Sequence, residues 1–541
     1  MDWSRDWSRW SIIVLLCLCS ARVWSLSEKS FGSDFIGRTK NRPELEWDWG
    51  HTWSKVEVDK QPISVLLSHV LGTYKFTLPR TQLQRGTAYL GSSVRLRRLV
   101  REMLNPQNRK DFKIAVIGGS ISWGQSTSER GVTDWFSVLS KWMISAFPRA
   151  NITARNGCTP GVPTPYMIMC LELSVDRDVD LVFMEYTLND GIDPMLFNNR
   201  IVMDMERLVR RVMDLPSQPA VVFMHVPTFG MANYPKGHEK NPENGTYTRF
   251  YETTEDAQTA ISQYYDVQYL SLRTAMYRLA AHKGVEGFRW EDAFVDHHPG
   301  DHGHKIMADL AVNLIQRVAL GLLMEPYSAA DAEAANEPLP PPMYAGNTAP
   351  SSPMCLVGDA FRQLVILSEG FEYINEGTAI KPKPGYVATQ PGSRLQLRVD
   401  TDRSAVGSPP DAMVHVYLHH LRSYEHMGTA TITCISGCSC SAVEVNAHIT
   451  EKVSQVYMAR LVISQSKDCI VEVKVASSTS SGEHKFKVSG LVVAEKAGVG
   501  DAMERLGGDN QPFGLRQHNG DATQVVWTKE GRTGGHGQPE R

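Results

Sequence analysis

Lys113-Ile114-Ala115-Val116-Ile117-Gly118-Gly119-Ser120-Ile121-Ser122 reads as an apolar strand that breaks at two glycines and delivers a serine. A strand apolar on both faces belongs inside a parallel sheet. The glycines allow a sharp turn and close substrate approach. A serine there sits at the C-terminal edge of a parallel strand, where open α/β sheets present ligands and nucleophiles. A helix following the serine points its N-terminus at the site and favours developing negative charge. The same residues also fit a plain helix cap, so the surrounding elements decide.

Downstream, apolar spacing predicts a helix over 132–147, with Trp135, Phe136, Leu139, Trp142 and Met143 on one side. It then predicts a strand over 151–155, a helix over 166–173 and a strand over 181–186. An amphipathic helix over 197–215 follows, striped by Ile201, Met205, Leu208 and Val212. A strand over 220–226, a helix over 254–265, a strand over 268–272 and a closing helix over 303–323 complete the alternation. Such alternation implies a parallel sheet with helices on both faces, an α/β domain over 85–325. Residues 25–84 lack clear periodicity and read as an irregular extension packed on it. Residues 326–354 read as a stiff linker, with seven prolines between 326 and 353.

Beyond the linker the period changes to two. Leu395, Leu397 and Val399 alternate with polar residues, as do Val414, Val416 and Leu418, and Val471, Val473 and Val475. An all-β sandwich over 355–496 is expected. Residues 497–541 hold ten glycines in 45 positions and are expected to be disordered.

In the 541 residues, 56 Lys and Arg face 59 Asp and Glu, a net charge of −3 that argues against nucleic acid as a partner. No apolar run reaches the ~18–20 residues of a membrane span, which excludes a polytopic membrane protein. The run from Ile12 to Cys19, followed by Ser20 and Ala21, reads as the core of a signal peptide over 1–24. A secreted protein is therefore expected, meeting a membrane only if that segment stays uncleaved as an anchor. Asn151-Ile152-Thr153 and Asn244-Gly245-Thr246 are N-glycosylation acceptor patterns, the second in a polar loop. Of nine cysteines, Cys17 and Cys19 leave with the signal. Cys158 with Cys170 is the within-domain pair of the first half. Cys355, Cys434, Cys438, Cys440 and Cys469 fall in the second, leaving one over. No histidine stands at ligand spacing around Cys434, Cys438 and Cys440, which favours disulfides over a metal there.

Two further segments follow predicted strands, and a third lies just before the closing helix. Gly157, in Arg155-Asn156-Gly157-Cys158, offers a backbone N–H or an ordinary Asn-Gly turn. Asn189, in Glu185-Tyr186-Thr187-Leu188-Asn189-Asp190-Gly191, offers amide donors for an oxyanion or simply holds a loop. In Asp296-His297-His298-Pro299-Gly300-Asp301-His302-Gly303-His304, His298 is a general base with Asp296 to orient it. A metal cluster is the other use of so many histidines, but Pro299 and Gly300 break the helical spacing it needs. The plain reading has Asp301 capping the last helix and His304 packing beneath it.

In this order Ser120, Gly157, Asn189 and His298 resemble the four blocks of the SGNH hydrolase family, the GDSL esterase/lipase superfamily, over 110–325. The resemblance implies a flavodoxin-like three-layer α/β/α fold. It implies Ser120 as nucleophile, His298 as base and Asp296 as its orienting carboxylate. It also implies an oxyanion hole made by the Ser120 N–H, the Gly157 N–H and the Asn189 side chain, with no metal or organic cofactor. A Cys158–Cys170 bridge would brace the Gly157 loop. Gly119 stands where the family has aspartate, Thr187 where it often has glycine, and Asp296 lies at −2 from His298 rather than −3. Asp292 and Asp301 are the other carboxylates, and the literal Asp-x-x-His match is Asp301 with His304.

The expected function is a secreted serine esterase acting through an acyl-enzyme, with O-acetyl groups on a polysaccharide among its substrates. The β domain then serves attachment or substrate targeting, with Tyr373, Tyr386, Tyr417 and Tyr424 as sugar-stacking or core residues. Two other functions fit the same residues: a non-catalytic glycan-binding matrix glycoprotein on a degenerate fold, and an O-acyltransferase.

Overall fold

The computed structural model describes residues 63–72, 74–107, 109–191, 193, 195–226, 253–281, 293–295, 297–378, 382–450, 452, 454–495 and 524–533. Helices α1 (Ile63–Gly72) and α2 (Arg80–Gly86) lead into strand β1 (Thr87–Tyr89) and helix α3 (Val94–Leu104). Strand β2 (Asp111–Gly118) runs into the single turn α4 (Ser120–Trp123) and then α5 (Trp135–Ala146). Strand β3 (Asn151–Asn156) is followed by α6 (Thr164–Cys170), and β4 (Leu181–Glu185) by α7 (Arg200–Met213). Then come β5 (Ala220–His225), α8 (Thr254–Tyr265), β6 (Gln268–Ser271), α9 (Leu272–Ala281) and α10 (Asp301–Met324).

The five parallel strands lie in the order β3-β2-β4-β5-β6. This is the doubly wound, flavodoxin-like order, and its switch point falls between β2 and β4. Helices α2, α3 and α5 each contact α10 on one face, and α6 and α8 each contact α7 on the other. Both faces are therefore covered, which is why every residue of β4 and β5 is buried. α10 is long and apolar enough to cross a membrane by length and composition, yet it is mostly buried as a core helix against α3 and α5.

The second part is the expected sandwich. Helix α11 (Ala329–Ala335) precedes its strands β7 (Met354–Val357), β8 (Val365–Glu369), β9 (Glu372–Asn375), β10 (Pro384–Ala388) and β11 (Arg394–Val399). They continue with β12 (Met413–Ser423), β13 (Thr429–Ser436), β14 (Val443–Asn446), β15 (Ser454–Ser464), β16 (Cys469–Val475) and β17 (Phe486–Glu495). One sheet runs β15-β12-β17-β10-β9 with β7 on β17, and the other runs β14-β13-β16-β11-β8. Leu395, Leu397, Val399, Val414, Val416, Leu418, Val471 and Val473 fill the space between them, as their alternation predicts.

The outer face of the first sheet is buried as well. Tyr417, Val456, Met458, Val492 and Ala494 share a core with Val162, Tyr166, Met169 and Cys170 of the α/β layer. Tyr417 is thus fully buried rather than free to stack on a sugar. Cys170 pairs with Cys355 across this contact, at a Cα separation of 5.2 Å. The expected Cys158–Cys170 bridge is therefore replaced: Cys170 faces the sandwich from the end of α6, while Cys158 is a buried free thiol. Cys434 pairs with Cys440 and Cys438 with Cys469.

The linker is a packed strap rather than a tether. Ser328 and Asp331 form a capping box on α11, and Asn347 Nδ2 donates to Glu206 Oε2 of α7 at 2.6 Å.

The expectation of a disordered tail fails at its end. Strands β18 (Val525–Thr528) and β19 (Gly531–Thr533) form a hairpin that pairs antiparallel with β3. It covers what would otherwise be an open sheet edge. Strands of three and four residues among glycines are too short to leave a period in the sequence. Likewise, α1 and most of α2 lie inside the stretch read as irregular. Tyr74, between them, donates to Asp309 of α10 at 2.9 Å. The signal-peptide reading and Asn244 lie outside the described residues. Asn151 is exposed, and its amide donates to Asp111 at 2.6 Å.

Non-reducing peptide mapping is expected to join Cys170 to Cys355 and to leave Cys158 alkylable only after denaturation. A 158–170 cross-link would refute this pairing. Replacing Cys170 and Cys355 together by alanine should lower stability by at most about 5 kcal/mol, the loop-entropy value for so long a loop.

Candidate active site

The strand-turn around Ser120 is held by β4. The Gly119 N–H donates to the Glu185 carbonyl at 3.3 Å, and a side chain on Gly118 would meet that same carbonyl at 2.5 Å. Gly119 is extended, and a Cβ there would lie 1.8 Å from Asn189 Oδ1. The Asn189 amide thus rests directly on the Gly119 backbone, so a side chain at 119 would have to displace that amide. This is the physical reason for glycine at that position.

The helix that follows Ser120 is a single turn. It ends at Gly124 with φ +97°. Arg130 closes it by donating from Nε to the Trp123 carbonyl at 2.8 Å, with its guanidinium 3.9 Å from the Trp123 ring centre. Arg532 of the C-terminal hairpin donates to the Arg130 carbonyl at 2.9 Å and so buttresses this loop.

His298 comes from a short hairpin just before α10. Phe294 and Pro299 form an antiparallel bridge, Val295 N donates to His298 O at 3.0 Å, and Gly300 N donates to Ala293 O at 3.0 Å. The hairpin sits on Gly303, where a Cβ would lie 2.3 Å from Ala293 O. The outcome is a 2.8 Å hydrogen bond between Ser120 Oγ and His298 Nε2, with both residues buried. The His297 ring lies against that of His298, with centres 4.0 Å apart. A hydroxyl bonded to an imidazole nitrogen is the arrangement that makes serine a nucleophile.

The other expected residues divide. The Asn189 N–H and the Asp190 N–H both bond the Tyr186 carbonyl, and Asp190 accepts from Thr164 N at 2.8 Å and Thr164 Oγ1 at 2.7 Å. These bonds tie the Asn189 loop to α6. Burial pushes the Asp190 carboxyl up to about 6 even so.

Gly157 departs from its expected role. Its N–H donates to Val116 O at 2.9 Å, extending the β2–β3 ladder. Its lack of a side chain is instead a packing requirement, because a Cβ would lie 2.1 Å from Ser174 O. The next two amides are occupied as well, Cys158 N by Asn156 Oδ1 and Thr159 N by Gly118 O.

Asp296 and Asp292 lie outside the described residues. Asp301 accepts from Ser128 N and Thr133 Oγ1, both at 2.8 Å, and so anchors the loop between α4 and α5. Burial raises its carboxyl, but these donors outweigh burial and hold it below its ordinary value. His304 is buried and accepts from Trp135 N at 3.2 Å, and burial lowers its imidazole to about 4. Cys434, Cys438 and Cys469 lie within 4.8 Å of one another, but their sulfurs are bound in disulfides and carry no thiolate for a metal.

One residue the sequence reading passed over is Glu185, the last of β4. It is fully buried, and its Oε2 accepts from Ser122 N at 3.2 Å, directly behind the Ser120 turn. A charged residue closing an otherwise apolar strand was the available signal.

No protein-family model matches the chain, and no curated protein matches it. Among solved structures it is similar to a two-domain esterase active on acetylated mannans, with a TM-score of 0.54 at 19% identity. That match covers 77% of this chain and 99% of the other. The structure of such an esterase co-crystallized with mannopentaose gives a TM-score of 0.53 at 18% identity, covering 78% and 100%. At such identity the likeness is one of fold: an α/β layer followed by a β domain.

The contact between Gly119 and Asn189 can be measured without any substrate. Gly119→Ala should cost roughly 1–3 kcal/mol as an overpacked site. Adding Asn189→Ala should return part of that cost, with a coupling of about 1 kcal/mol in a double-mutant denaturation cycle. Strict additivity would mean that the two residues do not touch.

Proposed function

We propose that the chain is a secreted serine esterase that removes acyl groups, acetyl above all, from a polysaccharide. The observation that carries this reading is the buried 2.8 Å contact between Ser120 Oγ and His298 Nε2 at the sheet's switch point. His298 takes the Ser120 proton as the oxygen attacks the ester carbonyl. The sugar hydroxyl then leaves with a proton from His298, and water hydrolyses the acyl-enzyme by the same base. The Ser120 N–H and the Asn189 amide are the donors to the tetrahedral oxyanion. Gly157 is not assigned a donor role, since its N–H is already bonded. Asp296 is the carboxylate we assign to orient His298.

The glycan part of the reading is supported by the fold likeness to an esterase active on acetylated mannans, which extends through both parts of that chain. The three disulfides among the described residues fit an oxidising compartment.

Acetate release from acetylated mannan and from p-nitrophenyl acetate is the direct test. Wild type should turn over both. Ser120→Ala should lose at least ~10³-fold in kcat, and Asn189→Ala ~10²–10³-fold, with intact folding. Equal background rates for wild type and Ser120→Ala on every acetylated glycan tried would overturn the esterase reading.

A further inference from the structure

Glu185 is a buried acid with no assigned role, placed against the turn that carries the nucleophile. Its main chain and side chain grip that turn at two points. The carbonyl accepts from Gly119 N at 3.3 Å, just before Ser120, and Oε2 accepts from Ser122 N at 3.2 Å, just after it. Trp135 Nε1 donates to Ser122 Oγ at 3.0 Å from behind. Asn156 Nδ2 donates to the Ser122 carbonyl at 2.7 Å, so Ser122 is held on its N–H, carbonyl and side chain. Glu185 Oε1 is buried with no hydrogen-bond partner among the described residues. No cation is bonded to this carboxyl in the described structure, and a buried carboxylate without a counter-charge is costly.

We propose that Glu185 is a positioning residue: its buried carboxyl, in the protonated form, clamps the turn that presents Ser120 to His298. Burial raises this carboxyl to about 8, against an ordinary value of 4.5. The titratable groups facing it are Asp190 on the loop after β4, Cys158 on the loop after β3, and Tyr186 next along the chain. Burial holds the Cys158 thiol and the Tyr186 phenol well above their ordinary values, so both stay neutral where Glu185 titrates. Asp190, at about 6, is already ionised there and further disfavours a second negative charge. Above about pH 8 the clamp becomes an anion in an apolar site, so it must draw in water or move, and the Ser120 turn loosens with it.

The activity readout rests on the esterase reading, but the stability readout does not. Both use the full chain as wild type, Glu185→Gln and Glu185→Leu, with kcat, KM and thermal unfolding followed against pH. The amide keeps the shape and the neutrality. Glu185→Gln should therefore stay within about threefold of wild-type kcat near neutrality, and it should lack the roughly tenfold alkaline fall expected of wild type between pH 7 and 9. Glu185→Leu should lower kcat at least ~10-fold with KM nearly unchanged, as expected for loss of an interaction that matters in the transition state.

For stability, the folded carboxyl keeps its proton to about 8 while the unfolded one loses it near 4.5. Wild-type stability therefore falls as pH rises through that window and is level above it. The Tm of Glu185→Gln relative to wild type should rise across the window and then stay constant. A flat difference, or a Glu185→Gln enzyme with the wild-type alkaline fall, would overturn the proposal. A rising Tm difference in a chain with no esterase activity would support the buried protonated carboxyl and reject the esterase reading instead. If Glu185→Leu does not fold, the Gln comparison alone decides.

Discussion

The close approach of β2 and β4 at the switch point is the constraint on which the site depends. Two consecutive glycines let the end of β2 press against the Glu185 carbonyl and the Asn189 amide. In a doubly wound sheet the helices after these strands diverge to opposite faces, which leaves a crevice above the strand ends. Ser120 and Asn189 enter that crevice from its two walls, and the hairpin before α10 brings His298 over it. A side chain at 118 would press on the Glu185 backbone, and one at 119 would displace the Asn189 amide. The geometry of the serine is thus set by the absence of atoms at two positions as much as by the bonds around it.

The framework of the α/β layer was legible because its elements are long and periodic. Helix α8 matches its expected span, and the strands from β2 to β6 fall within a residue or two of theirs, since short apolar runs bounded by turns and alternating with helical periodicity read as buried strands. Ser120 could be found because it follows such an element, and His298 because it precedes one. Gly157 was misread for a physical reason. A glycine after a strand can be required for its free N–H or for its missing Cβ, and sequence does not separate the two; here the Ser174 carbonyl occupies the space. Asp301 was ambiguous in the same way, and its partners Ser128 and Thr133 lie far from it in the chain.

The relation between the two layers was hidden because one face of β12 has two neighbours. Alternation showed that Val414, Val416 and Leu418 face a core, but it did not say what His415, Tyr417 and His419 face. They are buried because the sheet rests on α6 and its surroundings. Polar and aromatic residues at such an interface resemble a surface in composition, so only the tertiary contact reveals them. The cysteine pairing followed the same error, since elimination within one layer cannot see a partner in another.

The hairpin on β3 has a consequence for how the chain is made. Gln524 meets Arg155 across 369 residues of sequence. At about 5–20 residues per second, β3 emerges from the ribosome roughly 20–70 s before the strand that covers it. Throughout that time the nascent sheet carries an unpaired edge with its backbone donors and acceptors available to other chains. Chains truncated upstream of the hairpin retain the serine, the histidine and the sandwich but keep this edge open permanently. Premature termination near the C-terminus is therefore a route to aggregation, independent of anything it does to the chemistry.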